Sequence, residues 1–329
     1  MKKGVRTPHV LCLRFSALGD VAIASVVLKA CARDNPGVLF TLAGPGMLAP
    51  LFAGVPNLSI LPVDKKQPLR IIFRSLRQVH PTHVADLHSV IRSFFLRSAF
   101  FLRGTPVACL HKGRRARRRL LKTPAATPAL VPVYRRYALT LERLGYQSPS
   151  LAEENIISLK RGPWKTIGIA PFALHKGKQW PPDRMRRIAV ALAQEGAQVF
   201  LFGGGHEEKA QMKVWTADHS NIHLAAGAGG GFEAELAVIK TLDVMISMDS
   251  ANMHFASAMG IPVISIWGAT HPKAGFYGWR QDMRRAVQLP MDCRPCSIFG
   301  ARPCWKGTYA CMKDLTTEQV FSYVRNAMD

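Results

Sequence analysis

Four short stretches combine residue types and spacing that could carry chemistry. Arg14-Phe15-Ser16-Ala17-Leu18-Gly19-Asp20 joins the end of an apolar run to a glycine and a carboxylate. A carboxylate at such a strand-to-helix junction can take a proton from an attacking hydroxyl, and Gly19 lets a ligand approach the backbone closely. The same placement suits a plain helix N-cap. Met248-Asp249-Ser250-Ala251-Asn252-Met253-His254 is a second junction, without glycine. Free amides and the positive end of a helix dipole make it a phosphate site. Asp249 could accept a ribose or sugar hydroxyl and His254 could meet a phosphate, or the two could be a cap and a satisfied core histidine. In His175-Lys176-Gly177-Lys178-Gln179-Trp180-Pro181 two lysines can offset charge on a departing diphosphate while Trp180-Pro181 braces the loop; solvated loop lysines are the plainer account. Phe202-Gly203-Gly204-Gly205-His206-Glu207-Glu208 is a glycine turn with two carboxylates suited to ribose hydroxyls.

A rival pattern is Gly44-Pro45-Gly46-Met47-Leu48-Ala49, formally the G-x-G-x-x-A of dinucleotide binding, with Asp64 twenty residues beyond Gly44. It would make the chain an oxidoreductase. It follows the second apolar run rather than the first, however, and its prolines stiffen the turn. Gly227–Gly231 also lacks the full pattern, because Phe232 stands in place of the third glycine, and reads as a flexible loop. Cys293, Cys296, Cys304 and Cys311 gather four thiols late in the chain. Their C-x2-C pair suits structural zinc, but the second pair is wider than finger spacings, so reduced or reversibly bridged cysteines fit equally. Cys12, Cys31 and Cys109 read as small core residues.

Charge narrows the partners. Lys+Arg number 44 against 21 Asp+Glu, a net +23, so an anionic partner is expected: nucleic acid, acidic lipid or a phosphorylated substrate. Residues 65–122 hold 15 of the basic residues and a single acid, Asp86. Within them Arg92 and Arg97 sit among Phe94, Phe95, Phe100 and Phe101, and Arg114, Arg115, Arg117 and Arg118 form an almost continuous basic run. Phenylalanine with arginine suits an interfacial segment on acidic lipid or a pocket for a phosphorylated amphiphile; a domain core with a solvated basic face fits as well. A basic nucleic-acid-binding protein is the weaker reading, because no aromatic residue interleaves the basic run. No stretch approaches the ~18 apolar residues of a membrane span, and the apolar run Val10–Leu13 is too short for a signal core, so a cytoplasmic location is expected.

These motifs need a frame that ends strands at loops. Apolar runs predict strands at 10–15, 38–42, 58–63, 83–87 and 107–110, then at 166–171, 198–202, 222–224, 244–248 and 263–267. Continuous rather than alternating, they suit strands buried on both faces of parallel sheets. Intervening helices at 20–33, 183–195 and 233–241 imply βαβ units and an α/β class. The turn-rich stretch 145–163 separates the halves. The expected division is a Rossmann-like domain over 1–150, a linker over 151–165, a second Rossmann-like domain over 166–312 and a closing helix over 313–329, whose Thr316 and Gln319 have capping-box spacing. Two doubly wound domains facing a central cleft is the expected architecture, with ligands beyond the carboxyl ends of the strands.

Taken in order, the motifs resemble glycosyltransferase family 9, the heptosyltransferases of lipopolysaccharide core synthesis, from roughly Val10 to Val324. The family's S-x-L-G-D corresponds to Ser16 through Asp20, its K-x-W-P to Lys178 through Pro181, and its D-[ST]-G-x-x-H to Asp249 through His254. Its G-x-P is Gly260-Ile261-Pro262, its G-x-T-x-P is Gly268-Ala269-Thr270-His271-Pro272, and its C-x-P-C is Cys293 through Cys296. Two departures are Ala251 in place of glycine and Ile23-Ala24-Ser25 in place of a small residue and proline. The resemblance implies a GT-B fold with the acceptor on the first domain and the nucleotide-sugar donor, ADP-heptose, on the second. It implies inverting transfer with no metal and no cofactor. Asp20 would be the general base; Lys178 and the amides near Ser250 would stabilise the leaving diphosphate; Gly19, Glu207 or Glu208, Asp249, Ala251 and His254 would complete the donor site. The segment carrying Arg92, Arg97, Arg114, Arg115, Arg117 and Arg118 would receive an anionic lipid-linked saccharide acceptor, with the enzyme peripheral on the inner face of the cytoplasmic membrane and no nucleic-acid partner.

Overall fold

The computed structural model describes residues 7–153, 155–225, 227 and 229–328. The first six residues and part of the Gly227–Gly231 loop lie outside them. The chain divides into two compact units, Met1–Gly113 with Pro132–Glu154, and Arg114–Val131 with Asn155–Asp329.

The first unit alternates β1 (His9–Leu13), α1 (Leu18–Asp34), β2 (Leu39–Gly44), β3 (Leu58–Pro62), α2 (Leu69–Gln78), β4 (His83–Asp86), α3 (Ile91–Phe101) and β5 (Val107–Cys109). After α4 (Arg114–Lys122), which belongs to the other unit, α5 (Val133–Glu142) and α6 (Ser150–Glu153) complete it. The sheet is parallel throughout, in the order β3-β2-β1-β4-β5. Its central strand β1 buries Val10, Leu11, Cys12 and Leu13 in succession, as a strand covered on both faces must. Rich in Ala and Val, with its one glycine, Gly19, in the first turn, α1 is buried along nearly its whole length and packs against α5 and α6.

The second unit runs through β6 (Thr166–Ala170), α7 (Pro182–Gln194), β7 (Gln198–Leu201), α8 (Gly205–Thr216), β8 (Ile222–Leu224), α9 (Gly231–Lys240), β9 (Val244–Met248), α10 (Ala251–Ala258), β10 (Val263–Ile266), β11 (Ala286–Val287), α11 (Ala310–Lys313) and α12 (Thr317–Asn326). Its sheet is also parallel, ordered β11-β10-β9-β6-β7-β8. The expected capping box forms: the Gln319 amide donates to Thr316 Oγ1 at 3.2 Å and the Thr316 amide to Gln319 Oε1 at 2.9 Å. Val320 and Val324 then pin α12 into the core.

Each of the ten expected strands is present; β11, two residues long, gave no apolar run to read. The expected first domain over 1–150 is corrected at 114–131. This basic stretch belongs to the second unit because Leu120 and Leu130 bury against Ala274 and Ile298. The Leu130 amide also donates to the Lys273 carbonyl at 2.8 Å. Nor is 151–165 a free linker: Ser150–Glu153 is helical, and the Ile157 amide is held by the Arg280 carbonyl at 2.8 Å. No described helix is long and apolar enough to cross a membrane.

In both sheets the chain starts near the middle, winds to one edge and returns to build the other. The reversal falls between β1 and β4 in the first and between β6 and β9 in the second. Loops leaving the carboxyl ends of such strands diverge and open a crevice, the general ligand position in doubly wound sheets.

Candidate active site

In the first unit the crevice is bounded by Arg14–Asp20, after β1, and Leu87–Ser89, after β4. Asp20 lies in the first turn of α1 but is not its cap; that position is Ala17, with no capping side chain. Its carboxylate turns to Arg14, whose guanidinium pairs with Oδ2 and donates to the Leu87 carbonyl at 2.9 Å. Tyr137 reaches Oδ1 with its hydroxyl at 3.4 Å, a long contact that leaves this oxygen able to accept from a closer hydroxyl. Beside the pair, His88 Nε2 stands 3.4 Å from Ser16 Oγ and its ring packs edge-on against Phe15. Burial first, then the positive charges of Arg14, Lys112 and Lys65, push its pKa down to about 3, so this ring is neutral near pH 7. The arrangement is a carboxylate fixed by one oxygen beside an uncharged imidazole, fit to accept a proton.

Asp86, at the end of β4, explains the one acid in the basic segment. Completely buried, it accepts from the His88 and Ser89 amides at 3.0 and 2.7 Å, from Ser93 Oγ at 2.9 Å and from Arg97 Nη1 at 3.0 Å. Arg97, expected at the acceptor, thus also neutralises a buried carboxylate.

The second crevice lies between the loop after β6 and the start of α10. Lys178 occupies a 3-10 turn over Lys176–Lys178 and places Nζ 2.9 Å from Asp249 Oδ2. Thr270 Oγ1 donates to that same oxygen at 2.7 Å. The loop is braced as expected. Trp180 is fully buried with Nε1 donating to the Leu315 carbonyl at 2.9 Å, and Gln179 is bonded to Ala173, Pro171 and Trp180. A Cβ at Gly300, where φ is +80°, would run into Lys178 Cδ, so a bare backbone there gives the lysine stem its groove. Ser250 is the N-cap of α10 with no side-chain cap bond, and Ala251 does not require a left-handed backbone. No side chain caps the first amides of α10, and a helix N-terminus beside an amine is an arrangement suited to an anion.

Other expected residues separate. Glu207 is exposed in the first turn of α8, whereas Glu208 Oε2 already accepts from the Gly204 amide at 2.7 Å, leaving Glu207 the freer of the two carboxylates. His254 is buried, which fits the core-histidine alternative. On α3, Arg92 donates to the Gln67 carbonyl; Phe94, Phe95 and Phe101 are exposed, but Phe100 is core, edge-on to Phe73. On α4, Arg114, Arg115 and Arg118 are exposed while Arg117 lies over the Phe276 and Phe299 rings, at 5.1 and 5.4 Å. After Gly44 the chain enters a 3-10 helix, Gly46–Phe52, containing Pro50; with no α-helix to receive a pyrophosphate, the dinucleotide alternative loses its footing. Sequence reasoning missed Tyr137 and His88, which no spacing relates to Asp20, and gave no role to Arg14 or Thr270, although both lie inside motifs it had singled out.

Known proteins resemble this chain at several levels. The family described as glycosyltransferase family 9 (heptosyltransferase) matches residues 70–298. Lipopolysaccharide heptosyltransferase 1 of Pseudomonas aeruginosa is 24% identical over 327 residues, covering 88% of this chain and 86% of its own. Lipopolysaccharide heptosyltransferase 2 of Salmonella typhimurium is 30% identical over 110 residues, a match spanning only 32% of either chain. Among solved structures, Escherichia coli heptosyltransferase WaaC with ADP-2-deoxy-2-fluoro heptose superposes with a TM-score of 0.67 and 16% identity over 97% of this chain and 99% of that one. The likeness spans both sheets and bears out the GT-B fold class.

Proposed function

The chain belongs to glycosyltransferase family 9 and is a transferase, and from that premise we propose that it moves a heptose from ADP-heptose to a lipopolysaccharide core or related lipid-linked acceptor. The observation that carries the reading is the pair of crevices: one offers a carboxylate with an oxygen to spare, the other an amine beside open helix amides. Proton acceptor and diphosphate cradle are the two halves of an inverting, metal-independent transfer. The acceptor hydroxyl oxygen attacks the anomeric carbon while Asp20 Oδ1 takes its proton. The bond from that carbon to the diphosphate oxygen breaks, and the electron pair leaves with ADP. Lys178 and the first α10 amides meet the charge as it grows, where such preorganised donors act most strongly. Glu207 binds the ribose. In this assignment the first unit holds the acceptor and the second the donor.

Arg92 and the exposed Phe94, Phe95 and Phe101 on α3 hold the protein against the inner face of the cytoplasmic membrane, an apolar face flanked by cations. Arg114, Arg115 and Arg118 supply further positive charge from the second unit. The test is ADP release by the purified protein from ADP-heptose and a heptose-deficient lipid-linked core, with and without excess EDTA. The anomeric configuration of the product is then read by NMR. Release that needs restored magnesium defeats the metal-independent step, and a retained configuration defeats the direct displacement.

A further inference from the structure

The four late cysteines take no part in that reaction, yet the fold brings them together. Cys293 and Cys296 lie in the coil after β11, Cys304 in the next loop and Cys311 on α11, and all four line one cavity. Arg294 shares it, a buried guanidinium that has no carboxylate partner among the described residues. It donates to the carbonyls of Gly268, Leu289 and Thr270 and to Gln288 Oε1, none of which carries charge. A buried cation without an anion is costly, and the groups able to supply one beside it are the thiols, as thiolates.

We propose that Cys293, Cys296, Cys304 and Cys311 form a binding site for one thiophilic divalent cation, zinc first, whose tetrathiolate charge Arg294 offsets. Among the described residues no three potential ligands already stand close enough to hold an ion, so the thiols turn inward and release their protons as it enters. The site is tied to the lysine turn. The Cys296 amide donates to the Ala269 carbonyl at 3.0 Å, the Ala269 amide to the Gly177 carbonyl at 2.8 Å, and Lys176 Nζ lies 5.0 Å over the Tyr309 ring. An ion there is a structural brace for Lys178, remote from the sugar transfer itself.

The experiment is elemental analysis of the full chain purified under reducing conditions, followed by metal removal and titration with cobalt. About one zinc per chain and a thiolate-to-cobalt charge-transfer band reaching its plateau at about one equivalent are expected for a four-cysteine site. Cys293→Ser and Cys304→Ser should each lower the metal content several-fold. Reduced, folded wild-type protein with no zinc and no cobalt band overturns the proposal, as do two disulfides found by non-reducing peptide mapping of freshly purified protein. Neither readout depends on transfer activity, so failure here leaves the heptosyltransferase reading standing. A zinc-loaded protein whose donor KM matches that of the metal-free form overturns the brace alone.

Discussion

Both switch points hold an ion pair, but the two pairs face opposite ways. In the first unit the side chain of Arg14 is 9% exposed and that of Asp20 19%; in the second, Asp249 is 6% exposed and Lys178 17%. The more buried member is the holder in each, and the more exposed one is left to meet a ligand. A cation thus holds an anion in the first crevice, and an anion holds a cation in the second. On the proposed assignment one device, a half-buried pair after a central strand, serves as proton acceptor or charge stabiliser according to which partner is deeper. Removing either member strands the charge of its partner, at greatest cost where the deeper charge is the one left behind, so each variant's fold is checked by circular dichroism beside its activity.

The largest effect should come from the first crevice. Asp20→Asn keeps the side-chain shape and loses the base, so kcat in the ADP-release assay should fall by about 10² to 10⁴, the usual contribution of a positioned acid or base. Donor binding by calorimetry should be unchanged. Near-normal turnover would mean that the two crevices do not divide the work in this way. Next, Lys178→Met should lower kcat by about 10² to 10³, the usual result of deleting one preorganised donor to developing charge. It should also weaken ADP binding, and that second effect sets it apart from Asp20→Asn.

How far this was legible in the sequence follows from what each feature depends on. Strands buried on both faces announce themselves as apolar runs, so β1 through β10 could be read and the two-residue β11 could not. Asp20, Lys178 and Asp249 were legible because each stands within a few residues of a strand end, where local spacing carries the signal. Tyr137 reaches Asp20 across 117 residues, and nothing in the sequence forecasts that meeting. The two basic stretches make the same point. From composition they were one patch, but α3 spends Arg97 on buried Asp86, while α4 follows Leu120 into the second unit. Charge is local in sequence; its partner and its unit are tertiary facts.

A smaller pair of changes tests how firmly the carboxylate of each pair is itself held. Thr270 donates to Asp249 at 2.7 Å, whereas Tyr137 stands 3.4 Å from Asp20. Thr270→Val removes a well-formed hydrogen bond to a buried carboxylate and should lower stability by about 1 to 2 kcal/mol in urea denaturation. Tyr137→Phe should change stability by less, roughly 0.5 kcal/mol or under, because a contact that long returns little. Equal losses, or the reverse order, would contradict the claim that the second crevice is the more tightly set.

The remaining effects are those of pH, and they again compare the units. His88 belongs to the first and is pushed down to about 3 by burial and then by Arg14, Lys112 and Lys65. His271 belongs to the second and is pushed down to about 4 by burial and then by Arg294 and Lys273. Each ring takes up a proton more readily in the unfolded chain, where its pKa is about 6.5. The stability it contributes is therefore complete above about pH 6.5 and falls as the pH falls toward the folded value. Melting temperature should decline from pH 6.5 downward, and His88→Asn and His271→Asn should each flatten the decline. The windows differ: His271 stops contributing slope near pH 4, where the folded ring also protonates, while His88 continues toward pH 3. Circular dichroism melts of the wild type and both single variants, from pH 7.5 to 3.5, would show the His271→Asn curve rejoining the wild-type slope below about pH 4, while the His88→Asn curve stays flatter. If the variants instead run parallel to the wild type throughout, neither ring is held neutral by its unit, and Asp20 shares its crevice with an imidazolium.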